Sequence, residues 1–240
     1  GEAGSPYAIK DYYDIDPDLA EDPSTRMQEF EALVTRTHEV GLKVVLDFVP
    51  NHVARQYHSD TAPEGVDDLG AHDNKEMHFS PSNNFYYIPR QAFTPQFYIG
   101  EGEDRYFEYP AKATGNDCFG AFPGEYDWYE TVKLNYGVDY TGGGRCHFDP
   151  IPDTWYKMLD ILLFWCGKGA DAFRCDMAHM VPVEFWNWAI SKVKENYPSV
   201  IFIAEIYDQA LYRVYIEKGK FDYLYDKVGL YDKLRGVLCH

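Results

Sequence analysis

ADAFRCDMAH, residues 170–179, decides how the rest of this chain is read. An apolar run that ends in Arg174, Asp176 and His179 has the pattern of a buried β-strand carrying polar groups only at its C-terminal tip. Strand alternation places Ala172, Arg174 and Asp176 on one face and Phe173 and Cys175 on the other, so Arg174 and Asp176 project into the same space. Two further runs repeat the pattern: KVVLDFVPNH at 43–52 and VIFIAEIYD at 200–208. Strands that end in charged residues and are followed by helix-like segments are how a parallel α/β barrel gathers its chemistry at one rim. The expected fold class is therefore α/β, a partial (β/α)8 barrel.

Outward from these strands the spacing predicts helices over 23–40, 153–167, 182–197, 208–218 and 227–238, with a further strand at 221–225. The first of these helices opens at Asp22-Pro23-Ser24 and stops at Gly41, a residue type suited to a helix C-terminus. Between Asn51-His52 and Asp153 the alternation dissolves into a long Gly-, Pro-, Asn- and aromatic-rich segment, far beyond an ordinary connecting loop. The expected organisation is barrel at 1–52, an inserted lobe at 53–152 and barrel again at 153–240. Without the insert, about 140 residues remain, enough for four or five βα units at ~30 residues each. A closed barrel has eight. The sequence is thus expected to cover about strands 2 to 6 of a larger barrel. The GxGxxG phosphate signature of an open dinucleotide-binding sheet is absent.

Composition narrows the partners. A formal charge of −17 disfavours phosphate backbones and anionic membrane surfaces, so neither nucleic acid nor membrane insertion is expected. No run of eighteen apolar residues occurs, and any export signal would lie upstream, leaving the compartment open. Aromatic residues make up 17% of the chain, and such rings stack on the apolar faces of sugars. Trp128 and the Tyr86-Tyr87 pair are candidates for such platforms. The five cysteines form no CxxC pair; Cys118 and Cys146 share the insert and are candidates for a bridge.

Asp176 beside Arg174 is expected to stay ionised, as a nucleophile must. Glu205, emerging from VIFIA, is expected to be raised by desolvation, as a general acid needs. One carboxylate of each kind on neighbouring strands is the requirement for retaining glycoside hydrolysis.

With these residues in place the chain resembles the α-amylase superfamily, family thirteen of the glycoside hydrolases. DFVPNH (47–52), GADAFRCDMAH (169–179) and FIAEIYD (202–208) look like its first three motifs, in order. The resemblance implies Asp176 as nucleophile, Glu205 as acid/base and Arg174 as the residue that holds Asp176. It implies Tyr7 stacking beneath the sugar, His52 hydrogen-bonding that sugar, and Asn51 as a ligand of a structural calcium; Asp47 is read as structural. Met180 replaces the second substrate-binding histidine of many relatives, with His179 one position earlier as a substitute. The fourth motif, with the third acid, has no candidate before His240 and is expected outside this sequence. The expected activity is hydrolysis of α-glucosidic linkages in an α-glucan through a covalent glycosyl-enzyme, with no cofactor required for the chemistry. Transfer to an acceptor sugar, or binding without cleavage, are the alternatives.

Overall fold

In the computed structural model, which describes residues 5–97 and 106–239, the three carboxylate-bearing runs lie side by side in one parallel sheet. The strands are β1 (Val45–Phe48), β8 (Ala172–Cys175), β9 (Ile201–Ala204) and β10 (Tyr223–Leu224), hydrogen-bonded in that order. Between β1 and β8 in the chain come three antiparallel pairs: β2 (His52–Ala54) with β5 (Thr131–Lys133), β3 (Tyr87–Ile88) with β4 (Ala111–Lys112), and β6 (Val138–Asp139) with β7 (Arg145–Cys146). The helices are α1 (Arg26–Glu39), α2 (Asp153–Gly167), α3 (Val183–Asn196), α4 (Gln209–Glu217) and α5 (Asp232–Leu238).

The chain forms two compact units, and the boundaries fall at Asp14, Pro50 and Lys157. Residues 5–14 group with Asn51–Lys157. The Ala54 N–H donates to the Ile9 carbonyl at 2.8 Å and the His58 N–H to Lys10 at 3.1 Å, which ties residues 5–14 to β2.

Within the unit formed by Ile15–Pro50 and the chain from Met158 on, register explains the core. Leu46, Phe173 and Phe202 lie across from one another, as do Phe48, Cys175, Ala204 and Leu224. These rows share one face. Phe173 meets Phe202 at 5.5 Å between centroids, and Trp186 of α3 packs on Phe48 and Phe221. Phe185, Trp186, Ala189, Ile190 and Val193 repeat at helical spacing and are all buried, so α3 presents one apolar stripe. Truncating Trp186 to Ala is expected to cost about 3–5 kcal/mol. Helix ends follow local chemistry. Asp208 caps α4 through its side chain, and Gly41 at φ +77° closes α1, where the Leu42 N–H reaches the Thr37 carbonyl. Gly169, at φ +95°, lies so close to Val34 that a Cβ there would meet it at 2.8 Å.

The unit containing Asn51–Lys157 has little ladder and substitutes side-chain hydrogen bonds. Buried Asn83, Asn84 and Asn135 bind neighbouring main chain, satisfying backbone that no strand pairs. Arg55 and Glu108, both buried, pair at 2.7 Å, and the guanidinium sits over Phe93 at 3.8 Å from the ring centroid. Tyr86 and Tyr87 are core residues here, so they are not the sugar platforms considered from the sequence. All five cysteines are free, and the Cys118–Cys146 bridge does not form. Among the described residues no helix is long and apolar enough to cross a membrane.

Candidate active site

The parallel ladder continues one residue past each strand and fixes the side chains that follow. The Asp176 N–H donates to the Phe48 carbonyl at 2.8 Å, Glu205 N–H to Cys175 at 3.0 Å and Tyr225 N–H to Ala204 at 3.0 Å. Asp176, Glu205 and Tyr225 are therefore the first residues beyond β8, β9 and β10, aligned by their neighbours' backbones.

Arg174 joins them. One guanidinium nitrogen, Nη1, donates to Asp47 Oδ1 and Asp176 Oδ1, each at 2.9 Å. The other, Nη2, lies 2.6 Å from Glu205 Oε1, and Nε donates to the Tyr225 hydroxyl at 3.1 Å. One rigid fork thus addresses three carboxylates on three strands, a geometry a lysine lacks. Asp47 accepts from Arg174 through both carboxylate oxygens.

Asp176 and Glu205 are 6% and 5% exposed and meet the same guanidinium. Their electrostatics are the reverse of the sequence expectation. Burial, reinforced by the charge of Glu205, pushes Asp176 up to about 7 against the pull of Arg174. Burial also acts to raise Glu205, but the Tyr207 hydroxyl, the Met177 N–H at 3.1 Å and Arg174 together hold it below the ordinary value. The physical reason is donor count: Glu205 collects three donors, whereas Asp176 has the guanidinium. The two acids titrate as a pair, with Asp176 shifted up and Glu205 shifted down.

Tyr207 and Met177 escaped the sequence reading. Tyr207 donates its hydroxyl to Glu205 Oε1. It stands two positions after Glu205, on the same side by strand alternation, and that spacing was a usable signal. Met177 carries no such sign: its main-chain N–H is turned onto Glu205 by a left-handed backbone, φ 44° and ψ 42°. His179 lies edge-on to Tyr207 at 6.4 Å between centroids, and its buried Nδ1 has no hydrogen-bond partner among the described residues.

Tyr7, His52 and Asn51 belong to the other unit and gather among themselves. Tyr7 is 39% exposed. His52 is buried in β2, faces Trp128 at 5.3 Å between centroids and bonds the Tyr7 main chain. Burial, with the nearby Lys133 ammonium, lowers it to about 4, so its ring is neutral. Asn51 does not suit calcium. Its carbonyl oxygen accepts from the Lys133 ammonium at 2.7 Å, and its amide donates to the Gly115 carbonyl at 2.7 Å. A divalent cation on that oxygen would face a positive charge already in place.

This arrangement defines an α/β scaffold whose parallel strands deliver a guanidinium-bridged acid pair at one rim. Residues 2–113 match the family model described as alpha amylase, catalytic domain. An alpha-amylase from Lactobacillus plantarum has the same fold over 97% of this chain and 42% of its own, with TM-score 0.55 and 24% identity. The type III pullulan hydrolase from Thermococcus kodakarensis aligns over 91% of this chain and 30% of its own, with TM-score 0.54 and 20% identity. Among curated proteins, an alpha-1,4-glucan:maltose-1-phosphate maltosyltransferase of Cereibacter sphaeroides is 37% identical over 91 residues, 35% of this chain and 15% of the relative. The protein of that name from Corynebacterium pseudotuberculosis is 26% identical over 215 residues, 86% of this chain and 22% of the relative. Residues 2–113 are thus similar to an alpha amylase catalytic domain, and the chain spans under a quarter of the length of either relative.

Proposed function

We propose that the sheet is an arc of a (β/α)8 barrel, that residues 53–152 are its inserted lobe, and that the rim performs retaining chemistry on α-glucosidic bonds. The observation that carries this is the single guanidinium of Arg174 holding Asp176 and Glu205 together at adjacent strand ends. In a retaining enzyme the two carboxyl groups stand ~5–5.5 Å apart with the sugar's anomeric carbon between them. A sugar ring entering the site is proposed to stand between them. With the ring in place, Asp176 is separated from the charge of Glu205 but keeps Arg174, which favours its ionised form. As Asp176 ionises, its proton passes to Glu205.

The Asp176 carboxylate then attacks the anomeric carbon as its bond to the departing oxygen breaks, and Glu205 gives that oxygen its proton. In the second step the Glu205 carboxylate takes the proton from an acceptor hydroxyl, which displaces Asp176 and restores the original configuration. In the lobe-side unit, Tyr7 offers an exposed ring for stacking on a sugar, and His52 is proposed to hydrogen-bond one. His179 is proposed as a further polar contact beside Glu205.

Hydrolysis was the expectation from the sequence. Transfer is the reading now favoured, because the two relatives described above carry the maltosyltransferase name. The test supplies the full-length protein with α-maltose 1-phosphate and a maltooligosaccharide. Phosphate release with chains lengthened by two glucose units supports transfer. Maltose with no longer chains supports hydrolysis, and neither product overturns both.

A further inference from the structure

Lys133 sits in β5 directly across from His52 in β2, and it is 2% exposed. A buried ammonium must find acceptors for its three N–H groups. It does so here: Asp117 Oδ1 lies at 2.5 Å, Asn51 Oδ1 at 2.7 Å, and the Tyr140 ring face at 5.3 Å to the centroid. The surrounding turn is built to supply them. Asp117 adopts φ 69°, uncommon for a residue with a side chain, and its N–H bonds the Thr114 carbonyl at 3.1 Å. Gly115, within that turn, accepts from the Asn51 amide, and a Cβ added there would meet the Thr131 hydroxyl at 2.5 Å.

We propose that the Lys133 ammonium is a built-in cation, standing at Asn51 where the α-amylase resemblance implies a calcium ion, so that this lobe holds its shape without metal. One positive charge meets one carboxylate, and the cluster is neutral as it stands. A calcium ion wants six to eight oxygens at 2.3–2.6 Å. Sharing Asn51 Oδ1, it would lie within about 5 Å of the ammonium with one carboxylate between two cations.

The same contact orients the neighbouring imidazole. With the Asn51 oxygen committed to Lys133, its amide nitrogen faces the Gly115 carbonyl and, at 3.2 Å, His52 Nδ1. An amide donor there requires Nδ1 to be a bare acceptor and leaves the ring proton on Nε2. Lys133 thereby sets the tautomer of His52 through Asn51.

The test reads stability and needs no substrate, so its outcome is independent of the activity proposed above. The thermal midpoint of the wild-type protein is measured in excess chelator and in millimolar calcium chloride. Coinciding midpoints are expected. A midpoint that chelator lowers and calcium restores overturns the proposal. Lys133→Ala, which vacates the position while keeping Asp117 and Asn51, is expected to melt several degrees lower and to recover part of the loss in calcium. Lys133→Met keeps the stem without the charge and is expected to be destabilised with no recovery. A Lys133→Met protein as stable as wild type also overturns the proposal, and the wild-type comparison stands even if Lys133→Ala does not fold.

Discussion

Arg174 and Lys133 are both cations held off bulk water by carboxylates and polar groups, yet they are built for different work. Arg174 stands near the end of β8 with its fork spread over three acids, two of them buried. Lys133 has one acid, one amide and one ring, and every donor is matched. The first cluster is charge-frustrated, whereas the second is balanced. An excess of carboxylate around a cation fits the proposed catalytic site, and a matched set fits a structural joint.

The largest test of that contrast is Asp176→Asn. Activity is expected to fall at least about 10⁴-fold, as for removal of other covalent nucleophiles. The same change should stabilise the fold near neutrality. Because Asp176 is raised to about 7, its favourable contribution is present below the ordinary carboxylate range and is lost as the pH rises through about 7. Melting curves at pH 4.5 and 8 should therefore show the variant gaining on the wild type at the higher pH. An equal offset at both would remove the frustration from the account.

Arg174→Met leaves two buried acids without their cation. A loss of about 3–5 kcal/mol in urea unfolding is expected, falling as the pH drops and the acids protonate. Lys133→Met leaves one carboxylate that is already partly exposed, so a smaller loss is expected, about 1–3 kcal/mol. The reverse order would erase the distinction between the two clusters. The smallest effect is Tyr207→Phe. The hydroxyl favours ionised Glu205, so its loss raises Glu205 and moves the alkaline limb of the pH–rate profile upward, with a roughly tenfold drop in kcat.

How much of this the sequence carried differs between the clusters for a physical reason. Arg174, Asp176 and Glu205 were legible because strand alternation and a shared rim are local rules, readable within ten residues. Their electrostatic balance was not: Glu205 is held low by Tyr207 and by the Met177 N–H, and the second depends on a backbone turn with no side-chain signature. The lobe was opaque because its joints are long-range. Asn51 reads as a calcium ligand by its motif, and what changes that reading is a lysine 82 positions away. The same holds for Tyr86 and Tyr87, whose composition suggested sugar platforms and whose burial makes them core.

The central claim is that Asp176 forms the bond to the sugar while Arg174 and Glu205 serve it. The most direct measurement incubates the full-length protein with a 5-fluoro α-glycosyl fluoride of the maltose series and maps the labelled peptide by mass spectrometry. A glycosyl adduct on Asp176, absent from Asp176→Asn and accumulating in Glu205→Gln, is the expected result. An adduct on any other residue, or turnover of the reagent to product of inverted configuration, would contradict it.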